Sequence, residues 1–447
     1  MLNFLETFDQ FNHLKLSTPQ LSSQGRVTKI MGLALEVDGL KVAIGDVCEV
    51  RTTKGEFLDV EVVGFSSQAA YMMPLTRITN IVAGALVRPK KRNIEVPKGM
   101  SLLGRVIDGI GNPIDGKGEL LNEEFIPIEG EIINPLNRKP ISETLDVGVR
   151  AINGLFTVGK GQRMGLFAGS GVGKSVLLGM MTKFTEADIV VVGLIGERGR
   201  EVKEFIDHNL GEEGRKRSIV VASPADDSPL MRLRATEMAT RIAEGFRDEG
   251  KNVLLLMDSL TRYAQAQREI ALAIGEPPAT KGYPPSVFAK LPKIVERAGN
   301  GDEDGGSITA FYTVLTEGDD NQDPIADSAR AILDGHLVLN RSLAEKGHYP
   351  AIDPEMSISR AMNQIVTEEK LKQAQWLRRL WSKYSENKEL LTVGAYVAGA
   401  DRESDVAIQA APAMEAFLNQ SFNEKINLEN SDNDLNLIMT EVGNLLG

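Results

Sequence analysis

A glycine-rich loop, AGSGVGKS at residues 168–175, joins the apolar run MGLF to the helical pattern VLLGMM. A strand, a loop and a helix in this order form the setting that a phosphate-binding loop requires. Glycines let the backbone turn so that its N–H groups point at phosphate oxygens, and the following helix adds the positive end of its dipole. The loop predicts a nucleotide-binding α/β domain; the alternative interpretation is a glycine turn that binds nothing.

Two side chains of this loop have specific expected roles. Lys174 should reach the β- and γ-phosphates, and the Ser175 hydroxyl should ligate Mg²⁺. Ala168 stands where such loops usually begin with glycine. The residues predicted to contact the nucleotide in this segment are Gly169, Ser170, Gly171, Val172, Gly173, Lys174, Ser175 and Val176.

Two carboxylates follow apolar runs further along the chain. VLLLMD ends at Asp258, and VVVGLIG precedes Glu197. Carboxylates at the ends of buried strands lie at the ligand-binding edge of a parallel sheet. Asp258 is predicted to hold the Mg²⁺ shell through water, and Glu197 to orient a water in line with the γ-phosphate. Arg198 is predicted to help neutralise the charge of the γ-phosphate. The alternative is that Glu197 is a solvated glutamate paired with Arg198 or Arg200.

The runs around these motifs predict the fold class. ADIVVVGLIG, SIVVAS, NVLLLMD and ITAFYTVL are continuously apolar, as parallel strands covered on both faces are, and helical patterns separate them. Short β-rich runs with glycine turns at 25–89 predict a small closed barrel. The chain after Arg360 is predicted to be helical.

These patterns predict four regions: a short amphipathic helix at 1–18, a β-barrel at 19–94, a doubly wound α/β nucleotide-binding domain with a parallel sheet at 95–365, and a helical domain at 366–447. The first of them carries Met1, Phe4, Leu5, Phe8 and Phe11 at helical spacing. Its apolar stripe either packs on its own domain or docks on a partner.

Composition excludes several classes of protein. The chain has 447 residues and a net charge of −12, which argues against a duplex-binding surface. A single cysteine, Cys48, cannot form an intramolecular disulfide. The N-terminal segment lacks the pattern of a secretion signal, and no apolar run reaches the roughly 20 residues of a membrane helix, so we expect a soluble cytoplasmic protein unless a partner holds it at a membrane.

Two residues beyond these strands are weaker candidates. Arg360, in SISRAM, is a candidate finger on the nucleotide of a neighbouring subunit, and its alternative is a surface salt bridge. Tyr349, in GHYPAID, is a candidate for stacking on adenine, and its alternative is a core tyrosine. The four histidines are scattered and resemble no metal site.

The motifs AGSGVGKS, GERGREV, LLLMDSLTRYAQAQREI, PPSVFAKLPKIVERAG and GHYPAID…SISR together resemble the hexameric rotary-type ATPases, over roughly residues 25 to 400. That family includes the F-type synthase subunits and the ATPases of type III export systems. Within it the chain most resembles the flagellar protein-export ATPases, through the stretches beginning DDNQDPIADSAR and PPATKGYPPSVF. Injectisome ATPases typically carry an acidic residue where Ser328 stands.

The resemblance implies roles for particular residues. Glu197 matches the catalytic carboxylate, Arg360 the finger that reaches into the adjacent subunit, and Tyr349 the adenine-stacking aromatic. It also assigns Lys174, Ser175, Asp258 and Arg198 to phosphates and Mg²⁺, and it implies that residues 95–365 form a RecA-like ATPase domain. Leu391 and Val397 are expected where the catalytic synthase subunit has two further aromatics, which implies a looser adenine pocket.

The resemblance also implies the partners. It implies a homo-hexamer with ATP sites at its interfaces, an elongated regulator similar to a peripheral stalk at the N-terminal helix, and a central-stalk-like export protein at the loop 317–324. The C-terminal helices are expected to meet chaperones and unfolded flagellar substrates, below an export gate at the cytoplasmic face of the inner membrane.

Four other functions remain open. They are the ATPase of an injectisome, a catalytic subunit of a rotary synthase, a nucleic-acid translocase with the same core, and a nucleotide-gated scaffold in which Glu197 is idle. The acidic balance and the lack of an aromatic-basic platform in the barrel count against the translocase.

Overall fold

The structure is a computed structural model that describes residues 24–66, 69–76, 80–90, 94–121, 124–131, 133–316, 323–399 and 401–446. The predicted helix at 1–18 and most of the loop 317–324 lie outside the described residues. The chain divides after Asn93 into two compact units.

The first unit is a closed barrel with the strand order β1-β2-β5-β4-β3-β6. Alternate residues of its strands point inward, and Leu35, Cys48, Val60 and Met72 are completely buried inside. This confirms the barrel predicted from the short β-rich runs. The strands are β1 Gly25–Met31, β2 Ala34–Asp38, β3 Val47–Arg51, β4 Phe57–Phe65, β5 Ala70–Pro74 and β6 Leu86–Pro89.

The second unit is built on a sheet with the order β19-β18-β12-β17-β15-β13-β14-β8, with β16 paired on β17. The strands from β18 to β8 are parallel, whereas β19 and β16 run antiparallel to their neighbours. This confirms the predicted parallel core. The strands are β7 Glu95–Lys98, β8 Val106–Ile107, β9 Glu124–Pro127, β10 Thr144–Leu145, β11 Val158–Gly159, β12 Arg163–Ala168, β13 Ile189–Ile195, β14 Ser218–Ser223, β15 Asn252–Asp258, β16 Gly299–Asn300, β17 Ser307–Leu315, β18 Gly335–Leu339 and β19 Ile358–Ser359.

Helices cover the sheet, which explains why its central strands are apolar without alternation. Every residue of β13 is buried, for example. The helices of this region are α1 Arg150–Leu155, α2 Lys174–Phe184, α3 Gly199–Glu204, α4 Gly211–Lys216, α5 Pro229–Asp248, α6 Leu260–Ala273, α7 Pro285–Val295, α8 Pro324–Ile332, α9 Arg341–Glu345 and α10 Met362–Ile365. A π-helical turn at Phe205–Leu210 separates α3 from α4, and short 3₁₀ turns lie at Met100–Leu102 and Pro135–Asn137.

The C-terminal region consists of α11 Glu368–Thr392, α12 Arg402–Leu418 and α13 Leu428–Leu446, which confirms the predicted helical end. Its apolar residues share one core with the nucleotide-binding region: a Cβ placed on Gly154 of α1 would lie 2.6 Å from the Phe417 ring of α12. The boundary at 365–366 therefore stays a prediction. Within the described residues, no helix combines the length and apolar character that crossing a membrane would require.

Candidate functional site

The glycine loop lies at the carboxyl end of β12, and β12 pairs with the parallel strands β17 and β18 on its two sides. Gly171 and Gly173 have φ angles of 77° and 91°, in the left-handed region that strains any residue with a Cβ. The turn ends directly in α2, whose first residue is Lys174. The predicted loop residues Gly169, Ser170, Gly171, Val172, Gly173, Lys174, Ser175 and Val176 thus form one strand–loop–helix segment.

Lys174 bridges the two predicted carboxylates. Its Nζ lies 3.0 Å from Glu197 Oε1 and 2.7 Å from Asp258 Oδ1. The carboxylates meet because β13 and β15 are neighbours, with Leu194 opposite Asp258. The side chain of Asp258 is only 4% exposed, against 14% for that of Glu197. The structure therefore brings together three of the residues that the sequence singled out.

The charge state of this cluster follows from its partners. Burial alone would lower the pKa of Lys174, but the Asp258 and Glu197 carboxylates outweigh burial and raise that pKa above its ordinary value. The hydroxyl of Thr313 donates a hydrogen bond of 2.7 Å to Asp258 Oδ1. Sequence reasoning missed Thr313, although its position in the strand ITAFYTVL was a usable signal once that strand was placed between β12 and β15.

The donors at this edge fit a magnesium ion that shares its shell with phosphates. Mg²⁺ is typically bound through one or two carboxylates together with phosphate oxygens and water, rather than by a cage of protein ligands. Asp258 and the Ser175 hydroxyl offer such oxygen ligands, and the bridging ammonium of Lys174 shows that the carboxylates hold a cation here. Among the described residues, no group of three or more His, Cys, Asp or Glu side chains could hold a metal alone.

Two arginines flank Glu197. The side chain of Arg198 is 82% exposed and lies 3.6 Å from Glu201, so it is not directed into the Lys174 cluster. Arg262, which sequence reasoning missed, packs in the first turn of α6 against the backbone just before Glu197: a Cβ on Gly196 would lie 2.8 Å from Arg262 Cβ. Its Nε is buried and has no hydrogen-bond partner in the part of the chain that the structure describes. The signal for Arg262 was its place one helical turn after Asp258.

A cavity adjoins the glycine loop beside helix α2. Its volume is about 540 Å³, which suits a planar base. The ring of Tyr349 lies against the loop, because a Cβ on Gly173 would be 3.3 Å from a Tyr349 ring carbon. The lining residues are Gly173, Val176, Leu177, Met180, Gly347, Tyr349, Pro350, Asn419, Gln420, Ser421 and Phe422.

The expected positions of the further aromatic residues were wrong. Leu391 lies near the end of α11, and Val397 is 69% exposed in the connection to α12; neither lines this cavity. The ring that accompanies Tyr349 belongs to Phe422, in the segment after α12. The resemblance led to the wrong residues, because the helices α11 and α12 separate in sequence residues that the fold brings back together. The predicted looser pocket therefore loses its basis.

Arg360 lies at the opposite edge of the sheet from the loop. Ser359 pairs with Gly335 at the start of β18, whereas Ala168 pairs with Leu339 at its end. Four residues of parallel strand span about 13 Å. Arg360 is exposed there, with Nη2 3.3 Å from the carbonyl oxygen of Arg330. Within one chain the structure does not bring Arg360 to Lys174.

Comparisons with known proteins agree with this geometry. The model of the ATP synthase alpha/beta family, nucleotide-binding domain, matches residues 148–359, and that of the T3SS EscN ATPase C-terminal domain matches residues 366–436. The Flagellum-specific ATP synthase of Pseudomonas aeruginosa is 64% identical over 91% of each chain. That of Salmonella typhimurium is 55% identical over 99% of each, and the Type 3 secretion system ATPase of Xanthomonas euvesicatoria is 48% identical over 91% of this chain and 92% of its own.

Two solved structures share the fold of this chain. The assembled ATPase EscN from the type III secretion system of enteropathogenic E. coli is 41% identical and superposes with a TM-score of 0.87, covering 93% of this chain and 99% of that one. EscN in complex with its central stalk EscO gives 40% identity and a TM-score of 0.84 over the same shares.

The parallel sheet, the glycine loop and the paired carboxylates define a P-loop nucleoside triphosphatase with a RecA-like core. The chain belongs to the ATP synthase alpha/beta family, in the branch that holds the flagellum-specific ATP synthases and the type 3 secretion ATPases. It is accordingly an ATPase.

Proposed function

We propose that this chain hydrolyses Mg-ATP to energise the export of flagellar proteins. The observation that carries the proposal is the Lys174 ammonium held between Glu197 and Asp258 directly beside the glycine loop. The high identity to flagellum-specific relatives supports the flagellar assignment over the others.

Each residue has a proposed part in the reaction. The ammonium of Lys174 turns from the carboxylates to the β- and γ-phosphates when ATP enters, which frees Glu197 to orient the attacking water. Ser175 and Asp258 would hold Mg²⁺, which supplies positive charge at the phosphate oxygens. Arg198, which points away from the cluster, would turn from Glu201 to neutralise the γ-phosphate when ATP binds, and Arg262 packs beside the backbone that carries Glu197. Catalysis on this scheme is mostly positioning and electrostatic stabilisation.

Arg360 requires a second subunit. Because it lies across the sheet from its own loop, we infer that it acts on the nucleotide of a neighbour in a homo-hexameric ring. The assembled state of EscN supports a ring, and the complex of EscN with EscO supports a central-stalk partner. The loop 317–324 is proposed to meet that partner. The segment 1–18 is proposed to bind a peripheral-stalk-like regulator that keeps the ring under the export gate at the inner membrane. Chaperones and unfolded flagellar substrates would dock on the C-terminal helices.

Phosphate release from Mg-ATP by the purified chain tests the proposal. Glu197→Gln should keep ATP binding and lose about 10²–10⁴-fold in kcat, because it removes the group that positions water. Glu204→Gln is the matched control, since Glu204 is an exposed glutamate at the end of the same helix α3. Full turnover by Glu197→Gln would overturn the assignment of the base.

Mixing inactive variants tests the shared site. Arg360→Ala and Glu197→Gln subunits should each be inactive alone and recover part of the activity together, and specific activity should rise with protein concentration. No recovery at any ratio would contradict a shared site.

The second candidate function is that of an injectisome ATPase, which the match to type 3 secretion ATPases favours. This candidate would be rejected if the chain restored motility to a flagellar ATPase mutant but did not restore secretion to an injectisome mutant.

A further inference from the structure

Phe422 lies in an irregular stretch, residues 419–427, between α12 and α13. The backbone there is held in place: the N–H of Ser421 donates to Glu424 Oε2 at 3.1 Å, and the N–H of Glu424 donates to the Ser421 carbonyl oxygen at 3.0 Å. The ring itself is half-buried on the wall of the base cavity. Its orientation therefore depends on the side chains that it touches.

Lys183 touches this ring from the last turn of α2. Its Nζ lies 3.9 Å from the centroid of the Phe422 ring. A cation within about 6 Å of a ring centroid, over the face of the ring, is attracted by the negative face of the π-system. The stem of Lys183 is supported in turn by α4, because a Cβ on Gly214 would lie 3.5 Å from Lys183 Cγ. The ammonium is thus aimed at the ring by two packed helices.

The charge on Lys183 has no competing ion pair among the described residues. Burial lowers the pKa of Lys183, and the carboxylate of Glu213 acts against that shift from beyond salt-bridge distance. A partly desolvated ammonium that lacks a carboxylate partner gains more from a ring face than one in water does. These facts distinguish Lys183 from an ordinary solvated lysine.

We propose that Lys183 is a positioning residue that holds the Phe422 ring against the base of the bound nucleotide and so raises the affinity for that base. The proposal rests on the proposed function, since it takes the base of ATP as the occupant of the cavity. Helix α2 then serves both ends of the ligand: Lys174 at its start meets the phosphates, and Lys183, about 14 Å further along at 1.5 Å per residue, fixes the base wall.

The test compares a ligand that has a base with one that lacks it. Binding of a ribose-labelled fluorescent ATP and competition by inorganic tripolyphosphate are measured on the full chain carrying Lys183→Met. We expect the dissociation constant for ATP to rise about two- to fivefold, the range of a partly exposed cation–π contact, with no change for tripolyphosphate. Lys183→Arg should restore wild-type affinity, and the exposed Lys216→Met on the neighbouring α4 should change neither ligand.

A double-mutant cycle with Phe422→Leu isolates the contact. Lys183→Met should have no further effect on ATP affinity once the ring is gone. Equal weakening of ATP and tripolyphosphate, unchanged affinity for ATP, or full additivity with Phe422→Leu would each overturn the proposal. A wild-type chain that binds ATP but releases no phosphate would overturn the proposed function and leave this binding test decisive. Failure to bind either ligand would overturn both.

Discussion

The phosphate end and the base end of the site are built differently. At the phosphate end, one ammonium contacts two carboxylates at 3.0 and 2.7 Å, and a hydroxyl completes the cluster. At the base end, two aromatic rings and apolar side chains line a cavity of about 540 Å³. The first depends on charge and direction, and the second on shape and stacking. Substitutions at the first should therefore affect the chemical step, and those at the second should affect affinity.

The largest expected effect is at the phosphate end. Lys174→Met removes the charge that meets the phosphates, and we expect kcat/KM to fall by about 10²–10³-fold, the usual result of removing one group that stabilises a transition state. Steady-state phosphate release across a range of ATP concentrations measures this loss. Near-normal turnover by Lys174→Met would contradict the claim that the phosphate end acts through the charge of this lysine.

The same substitution should also destabilise the fold, because it leaves the buried Asp258 without its counter-ion. Breaking a buried ion pair typically costs about 3–5 kcal/mol. Burial already raises the pKa of Asp258 in the wild type, and loss of Lys174 raises it further. A carboxyl group with a raised pKa in the folded state is least costly when protonated, so the stability deficit should shrink as the pH falls. Thermal unfolding of both proteins at pH 7.5 and 5.5 measures this; a deficit that grows toward pH 5.5 would contradict it.

The two ends also differ in how far the sequence predicted them. The phosphate end was predicted residue by residue, because a contiguous loop carries most of it and each carboxylate directly follows a buried strand. The continuous apolar runs also identified the parallel sheet itself. At the base end, Tyr349 was predicted but Phe422 was missed, because two long helices separate the two residues and no local pattern marks a ring as facing a cavity. Thr313 and Arg262 were missed for a related reason: their roles depend on which strands are neighbours, and strand order is a property of the fold.

A smaller effect is expected for the aromatic wall. Tyr349→Ala should raise KM for ATP about tenfold, as expected for the loss of one stacking ring, while kcat changes little. Tyr349 is 44% exposed, so its removal should cost little stability. Tyr349→Phe keeps the ring and is the matched control. A loss confined to kcat would mean that Tyr349 acts on the phosphates rather than on the base.

The two amide side chains of the base cavity, those of Asn419 and Gln420, are already engaged by the protein. Asn419 Oδ1 accepts from the N–H of Tyr349 at 3.0 Å, and its amide donates to the Glu415 carbonyl oxygen at 2.9 Å. Gln420 Oε1 accepts from the N–H of Arg150 at 2.8 Å, and its amide donates to the carbonyl oxygens of Gly148 and Glu424 at 3.0 and 2.9 Å. These amides hold the fold together and are not free to read the edge of a base.

The smallest expected effect therefore comes from changing the base itself. A site built to hydrogen-bond its substrate rejects an analogue by about 10⁴–10⁵-fold, whereas a stacking pocket tolerates any flat ring of suitable size. We expect kcat/KM for GTP to lie within about tenfold of that for ATP, and we expect the difference to arise in KM rather than in kcat. Steady-state phosphate release from each nucleotide measures both constants. A preference above about 100-fold would mean that a directional contact reads the base, and the contrast between a directional phosphate end and a stacking base end would fail.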